Sequence, residues 1–342
     1  MNCPRCGKEN PDDAQLCQSC GCVLTQSTVT REDINIKTSG LAIASMVLGI
    51  LSVFTCGITA IPAVILGIIS LVKIEKSGGR LTGRVFAIVG IVVPAVVCFL
   101  AIGLLMPALN RAREQGKRAV CLVNLRELTL AWLLYAEDND DRIVNGAAGS
   151  NRAGELSWVG KDWDTDDLNL KRDAILKGAL WTYCKNLKLY RCPSGYGGEM
   201  RTYSIVDSMN GSPQPGNSMG RGPNEIIDEL ITKNRMQISN PGQRVVFIDV
   251  GRATPGSFAV YYDKEQWWDL PPVRHRDGTS ISFADGHGEY WKWEGAETIK
   301  LGKAADRTRS PSNVIPQSPK GKADLHRFQN AVWGKLGYEP KQ

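Results

Sequence analysis

Histidine is scarce in this chain, with only three in 342 residues, and neither a P-loop nor an H-E-x-x-H motif is present. A phosphate-cradling loop and a helical zinc-protease site are therefore excluded as sources of activity. Tryptophan is absent before Met106, although nine follow it. Basic excess is missing from residues 1–40, where four Lys/Arg face five Asp/Glu, so no nucleic-acid partner is expected. The opening residues also lack the basic n-region and short apolar core of a cleavable leader. Export of anything downstream is expected to depend on internal membrane spans.

What is present is sharply partitioned. Hydrophobic residues make up 43% of the chain, but Leu41–Val72 and Val85–Met106 are almost wholly apolar. The net charge of +6 is concentrated around the second run, with Lys73, Lys76, Arg80 and Arg84 before it and Arg111, Arg113, Lys117 and Arg118 after it. Such clusters suit contact with lipid headgroups, which makes the bilayer the first expected partner.

Cys3-Pro-Arg-Cys6-Gly and Cys17-Gln-Ser-Cys20-Gly are two C-x-x-C knuckles. Four thiolates at this spacing suit one tetrahedral zinc ion, and the glycine after each knuckle lets backbone amides turn towards sulfur. Four protein ligands leave no open position, so a structural metal is expected at Cys3, Cys6, Cys17 and Cys20, with Cys22 a spare thiol.

Leu41–Val72 would be roughly 48 Å long as one helix, too long for a core of roughly 30 Å. Gly57 and Pro62 interrupt it, which favours a tight hairpin of two short helices over one kinked helix. Val85–Met106 is long enough for one span despite Pro94. Beyond Pro107, the residues Cys121, Leu125, Leu128, Trp132 and Tyr135 recur at spacings that put all five on one helical face. Asp138–Asp141 ends that helix. Strands are predicted at Arg201–Val206, Arg244–Val250, Phe258–Tyr262, Thr279–Ala284 and Gly288–Trp293, the last two joined through Asp285-Gly286 as a type I′ hairpin. Ser212–Pro223 reads as a Gly/Pro/Ser/Asn-rich loop.

The sequence LLMPALNRAREQGKRAVCLVNLRELTLAWLLYAEDNDD at 104–141 resembles the stalk of the large bacterial pseudopilin-like families. The pieces YRCPSG at 190–195, TYSIV at 202–206, VVFIDV at 245–250 and RHRDGTSISFADGH at 274–287 follow in order, the last resembling the His-x9-Asp-Gly signature of type II secretion major-pseudopilin-like proteins. The resemblance implies an exported, non-enzymatic scaffold with partners in a secretion or pilus-like assembly. At the peptidase site it places Phe86, but Val85 stands where the family has Gly and Gly90 where it has Glu, so neither cleavage nor ordinary filament incorporation is expected. The region from GLAIASMVLGI at 40–50 through GGRLTGRVFAIVGIV at 78–92, with Ser-Gly-Gly-Arg-Leu-Thr-Gly-Arg its most specific part, looks like a small bacterial membrane domain of unknown function that often follows a zinc ribbon.

The expected architecture is multidomain. A zinc ribbon at 1–24 and a linker at 25–39 precede an α-helical transmembrane module at 40–106, with spans about 40–55, 60–76 and 85–106. A C-terminal α+β pseudopilin-like domain at 107–293 follows, built on a stalk helix at 107–136 and an antiparallel sheet, and then a polar tail at 294–342 with a short helix at 323–336. The ribbon is expected in the cytoplasm and the α+β domain outside the cytoplasmic (inner) membrane.

Other readings attach to particular residues. An adaptor whose ribbon docks a cytoplasmic partner is the alternative function. His275, Asp285 and His287, with Asp249 or Glu289, are the donors a metal-dependent surface enzyme would use, although a turn and a strand start account for the last pair. Asp162, Asp164, Asp166 and Asp173 resemble part of a calcium loop, without its central Gly and terminal Glu. Cys184 and Cys192 are close enough in sequence to pair as a disulfide outside the membrane. Trp267, Trp268, Trp291 and Trp293 would form either core or an aromatic binding surface, core being the commoner use.

Overall fold

The computed structural model describes residues 1–24, 37–55, 58–78, 80–151, 154–211, 230–305 and 314–340. It divides into two compact units, Met1–Ala108 and Leu109–Gln342. Most of the 25–39 linker, Cys56-Gly57 and the Ser212–Pro223 loop lie outside the described residues.

In the first unit, α1 (Gly40–Leu51) and α2 (Ala60–Lys76) form the expected hairpin. They are followed by α3 (Arg84–Asp138), which runs on into the second unit. Two short strands, β1 (Lys37–Thr38) and β2 (Leu81–Thr82), pair in parallel at the helix ends. Small residues make the helix contacts: Ala42, Ser45 and Gly49 on α1, Ala63, Gly67 and Ser70 on α2, and Ala87, Gly90 and Pro94 on α3 are buried. A Cβ at Gly90 would lie 2.1 Å from Ser45 Oγ and 2.6 Å from the Ser45 backbone carbon, so α1 and α3 touch backbone to backbone. The Ser45 hydroxyl donates to Ala63 O at 2.8 Å, and that of Thr59 to Leu48 O at 3.1 Å. Large apolar side chains such as Phe54, Ile61, Ile65, Ile68 and Phe99 point outwards. Small residues inside and large apolar ones outside is the arrangement helices adopt in lipid. Among the described residues, one helix, α3, is long and apolar enough to cross a membrane by length and composition. At 12 and 17 residues, α1 and α2 are shorter than the expected 40–55 and 60–76 spans would need for a full crossing, rising roughly 18 and 26 Å.

The span and the stalk, expected as separate pieces meeting at Pro107, are one helix of 55 residues with Pro94 and Pro107 inside it. Its C-terminal part is the spine of the second unit. Cys121, Leu125, Leu128 and Trp132 are fully buried and Tyr135 is partly so, as their spacing requires. The helix stops where Asp140 and Asp141 take positive φ. After α4 (Leu168–Leu176) and the single turn α5 (Trp181–Cys184), four strands form an antiparallel sheet in sequential order. These are β3 (Tyr203–Ile205), β4 (Val245–Asp249), β5 (Gly278–Phe283) and β6 (Gly288–Lys292). Every position of β4 and β5 is buried, so both faces are covered. On one face Thr129 of α3 donates to Ser282 Oγ at 2.7 Å.

Three expectations change. Phe258–Tyr262 is not a strand: it makes one bridge, Val206 to Phe258, because α-helical side chains from further along take its carbonyls. Trp333 Nε1 donates to Val260 O at 3.1 Å and Gln329 Nε2 to Tyr261 O at 2.6 Å. The β5–β6 turn is not type I′. Gly286 N donates to Phe283 O and Phe283 N to His287 O, both at 2.9 Å, and Gly286 alone has positive φ, giving a three-residue loop closed by a glycine bulge. The polar tail is part of the domain. It forms α6 (Ala296–Ala305) and α7 (Pro319–Trp333), the latter capped by Ser318 and ended by Gly334, with Leu325, Phe328 and Val332 fully buried. Trp267 and Trp293 meet edge to face at 5.9 Å against Phe328 and, with Trp291, belong to the core rather than to a binding surface.

A buried ion pair fixes the edge of this domain. Arg201 Nε and Nη2 donate to Asp162 Oδ2 and Oδ1, both at 2.8 Å, with both side chains fully buried. Removing one partner strands the other charge in the core, so Arg201→Met is expected to lower stability by about 3–5 kcal/mol. Chemical denaturation followed by tryptophan fluorescence measures this directly, since all nine Trp lie in the second unit.

Candidate metal centres

At the N-terminus two short hairpins, bridged at Asn2–Glu9 and Leu16–Val23, present the four knuckle cysteines to one another. Gly7 and Gly21 take φ of 70° and 69°, letting their N–H groups reach back to Cys3 O and Cys17 O, both at 2.9 Å. Cys3 Sγ and Cys20 Sγ are 3.6 Å apart and Cys6 Sγ and Cys17 Sγ 3.5 Å. A tetrahedron with metal–sulfur bonds near 2.3 Å has edges of roughly 3.8 Å, so the cage is of the right size. The buried core here consists of Cys3, Cys17 and Leu24, too little to hold the fold without a metal. The sulfurs also compete for protons. The backbone N–H of Ser19 leads in lowering Cys17 to about 6. The amide of Cys22 lowers Cys20, yet Cys6, burial and the other sulfurs outweigh it and push Cys20 up to about 12. A bound cation removes that competition. Cys3, Cys6, Cys17 and Cys20 could thus bind a metal ion. Cys22 is not part of the cage.

The second unit holds a grouping that the sequence named only in pieces. Cys121, Cys192, Asp249 and His275 each bring one donor atom within 4.8 Å of all the others, and all four residues are buried. α3 supplies Cys121 from its buried stripe, and β4 ends in Asp249. Cys192 comes from the turn after the 3-10 segment Leu187–Tyr190, and His275 from the loop before β5. Cys121 Sγ donates to Asp249 Oδ2 at 3.3 Å, Cys192 Sγ lies 3.2 Å from His275 Nε2, and that nitrogen is 3.6 Å from Asp249 Oδ2. Burial pulls the His275 pKa down, but Asp249 and Cys192 together carry it up to about 10. The neighbouring Cys121 side chain holds Cys192 below the usual thiol value, whereas burial pushes Cys121 up. The legible trace was local: Cys192-Pro-Ser-Gly turns as a knuckle does, with Ser194 N donating to Cys192 Sγ at 3.4 Å.

His275 therefore does not meet Asp285 and His287. It precedes β5, whereas they follow it in the exposed turn, where His287 Nδ1 contacts Asp285 Oδ1 and its ring stacks on Phe283 at 4.3 Å. Glu289 approaches His287 at 3.5 Å on that surface. The three-residue hydrolytic set does not assemble. The calcium loop fails likewise: Asp162 is taken by Arg201, Asp164 pairs with Lys161, and Asp173 lies 3.7 Å from Arg172. Its central residue, Asp167, caps α4 by accepting from Asn169 N at 2.8 Å. Cys184 and Cys192 are not paired: Cys184 Sγ meets Tyr190 Oη at 3.2 Å, while Cys192 joins His275. A Gly-x-Ser-x-Gly pentapeptide at 216–220 lies outside the described residues.

Replacing Cys3 and Cys17 by serine in the full chain is expected to remove one metal equivalent, with tryptophan fluorescence unchanged; elemental analysis of purified protein reads the loss. Residues 41–105 match the model of a domain of unknown function, DUF4190. The match spans Leu41–Val72 and all but the last residue of Val85–Met106. Neither a curated protein nor a solved structure matches the chain.

Proposed function

We propose that this chain is a non-enzymatic scaffold of the bacterial envelope: a zinc-bound cytoplasmic ribbon, an anchor in the cytoplasmic membrane, and a pseudopilin-like domain outside. The observation that carries the reading is α3, whose first part is an apolar span and whose last part is the buried spine of an antiparallel α+β domain. That combination is what the pseudopilin resemblance implies.

The hairpin supports this topology. An antiparallel α1–α2 pair returns the chain to the side it entered from, whether it crosses fully or dips in and out. Only α3 then changes sides, so the ribbon and the α+β domain lie on opposite faces of the membrane. Thiolate zinc is favoured in a reducing compartment, which puts the ribbon in the cytoplasm. The closed Cys₄ cage leaves no coordination position for substrate, and the exposed His287–Asp285 turn lacks a second histidine. A scaffold also needs protein partners, and a type II secretion or pilus-like machine is the class the resemblance suggests.

Protease treatment of right-side-out spheroplasts carrying a C-terminal tag tests this. Digestion beyond residue 107 with a protected ribbon is expected, and the untreated chain should run at full mass because Val85–Phe86 is not cut. Protection of both ends would place the α+β domain in the cytoplasm and favour an adaptor whose ribbon docks a cytoplasmic partner.

A further inference from the structure

We propose that Cys121, Cys192, Asp249 and His275 are a second, closed metal centre, which takes a divalent thiophilic cation of the zinc class and clasps α3 to the sheet. The donor atoms converge singly: the same Nε2 of His275 faces both Cys192 and Asp249, and the same Oδ2 of Asp249 faces both Cys121 and His275. Their separations, 3.2, 3.3 and 3.6 Å, compare with 3.5 and 3.6 Å between sulfurs of the N-terminal cage. Edges of roughly 3.3–3.8 Å are what a tetrahedral site of nitrogen, oxygen and sulfur donors requires.

Each donor is also held from behind, as metal ligands are. His275 Nδ1 lies 3.1 Å from Glu114 Oε1, which fixes the tautomer that leaves Nε2 free for a metal. Gly251 N donates to Asp249 Oδ1 at 3.1 Å, Ser194 N to Cys192 Sγ at 3.4 Å, and the Tyr203 hydroxyl to Cys121 Sγ at 3.4 Å. Ser194 in turn donates to Glu114 Oε1 at 3.3 Å. His275 sits at φ 50°, a left-handed conformation that costs a non-glycine residue strain and that persists where surroundings dictate it.

The pair Cys192–His275 with Glu114 behind it has the makings of a thiol hydrolase, but Cys192 and the His275 side chain are 0% exposed, so neither reacting group is open to solvent. A carboxylate buried beside two thiols is instead best satisfied by a cation that all four share. With four protein donors the ion has no open position, so its work is structural. It joins the spine helix, the end of β4 and two loops whose donors lie far apart in sequence. All four side chains are buried, so the two thiols are shielded from oxidants on whichever side of the membrane the domain lies, unlike the exposed Cys6 and Cys20 of the ribbon.

The test is elemental analysis and cobalt substitution of the full chain in detergent. Two metal equivalents are expected for the native protein and one for the Cys3→Ser/Cys6→Ser/Cys17→Ser/Cys20→Ser variant. Cobalt in that variant should give tetrahedral ligand-field bands with a thiolate charge-transfer band of about half the Cys₄ intensity, since two sulfurs remain. Cys192→Ser in the same background should abolish the bands. Should that variant not fold, Glu114→Gln, whose carboxylate is 28% exposed on α3, should weaken cobalt binding by about 10–100-fold with native tryptophan fluorescence. A ribbon variant that takes up neither zinc nor cobalt overturns the proposal. So does a Cys121–Cys192 disulfide in non-reducing peptide maps, or cobalt affinity unmoved by both Cys192→Ser and Glu114→Gln.

Discussion

One helix carries two kinds of packing, and each unit is built on its own part of that helix. Through Met106, α3 presents apolar side chains outwards and small ones to α1 and α2. Beyond the boundary between the two units it turns large side chains inwards, burying Cys121, Leu125, Leu128 and Trp132 in the core of the α+β domain. The change is written in side-chain size. Where the surroundings are lipid, backbone proximity is the source of packing energy, so Gly, Ala and Ser hold the seam. Where they are water, apolar area is the source, so Leu and Trp do.

The elements with strong periodicity were legible in the sequence. The four-three-four-three stripe after Pro107 became the buried face of α3, and four of the five expected strands form the sheet. What failed did so where side chains substitute for backbone partners or where local pattern is diluted. Phe258–Tyr262 has strand composition, but Trp333 and Gln329 occupy the carbonyls a ladder would need. The short helix expected at 323–336 is there as α7, but its burial was not legible, because His326, Arg327, Gln329 and Asn330 separate Leu325, Phe328 and Val332 in the sequence while the helix stacks them on one side. Asp285-Gly286 does turn the chain, yet the turn type depends on one extra residue that composition does not reveal.

The two candidate metal centres differ in legibility for a physical reason. In the ribbon, all donors lie within a span short enough for spacing alone to define the cage. In the α+β domain, Cys121, Cys192, Asp249 and His275 come together only once the helix has docked and β4 and β5 have paired. Each was visible separately: a thiol in an apolar stripe, a Cys-Pro turn, the end of a strand, and the histidine of the His-x9-Asp-Gly pattern. The same pattern led towards Asp285 and His287, which β5 carries away from His275. Distance along a strand defeated proximity along the sequence.

Gly90 limits what α3 can become by substitution. The pseudopilin resemblance aligns this residue with a glutamate, and here a single methyl group would already collide with the backbone of Ser45. No point substitution restores the carboxylate without first displacing α1. The packing of the hairpin thus fixes the size of residue 90, and its tolerance is set by a helix more than thirty residues earlier in the chain.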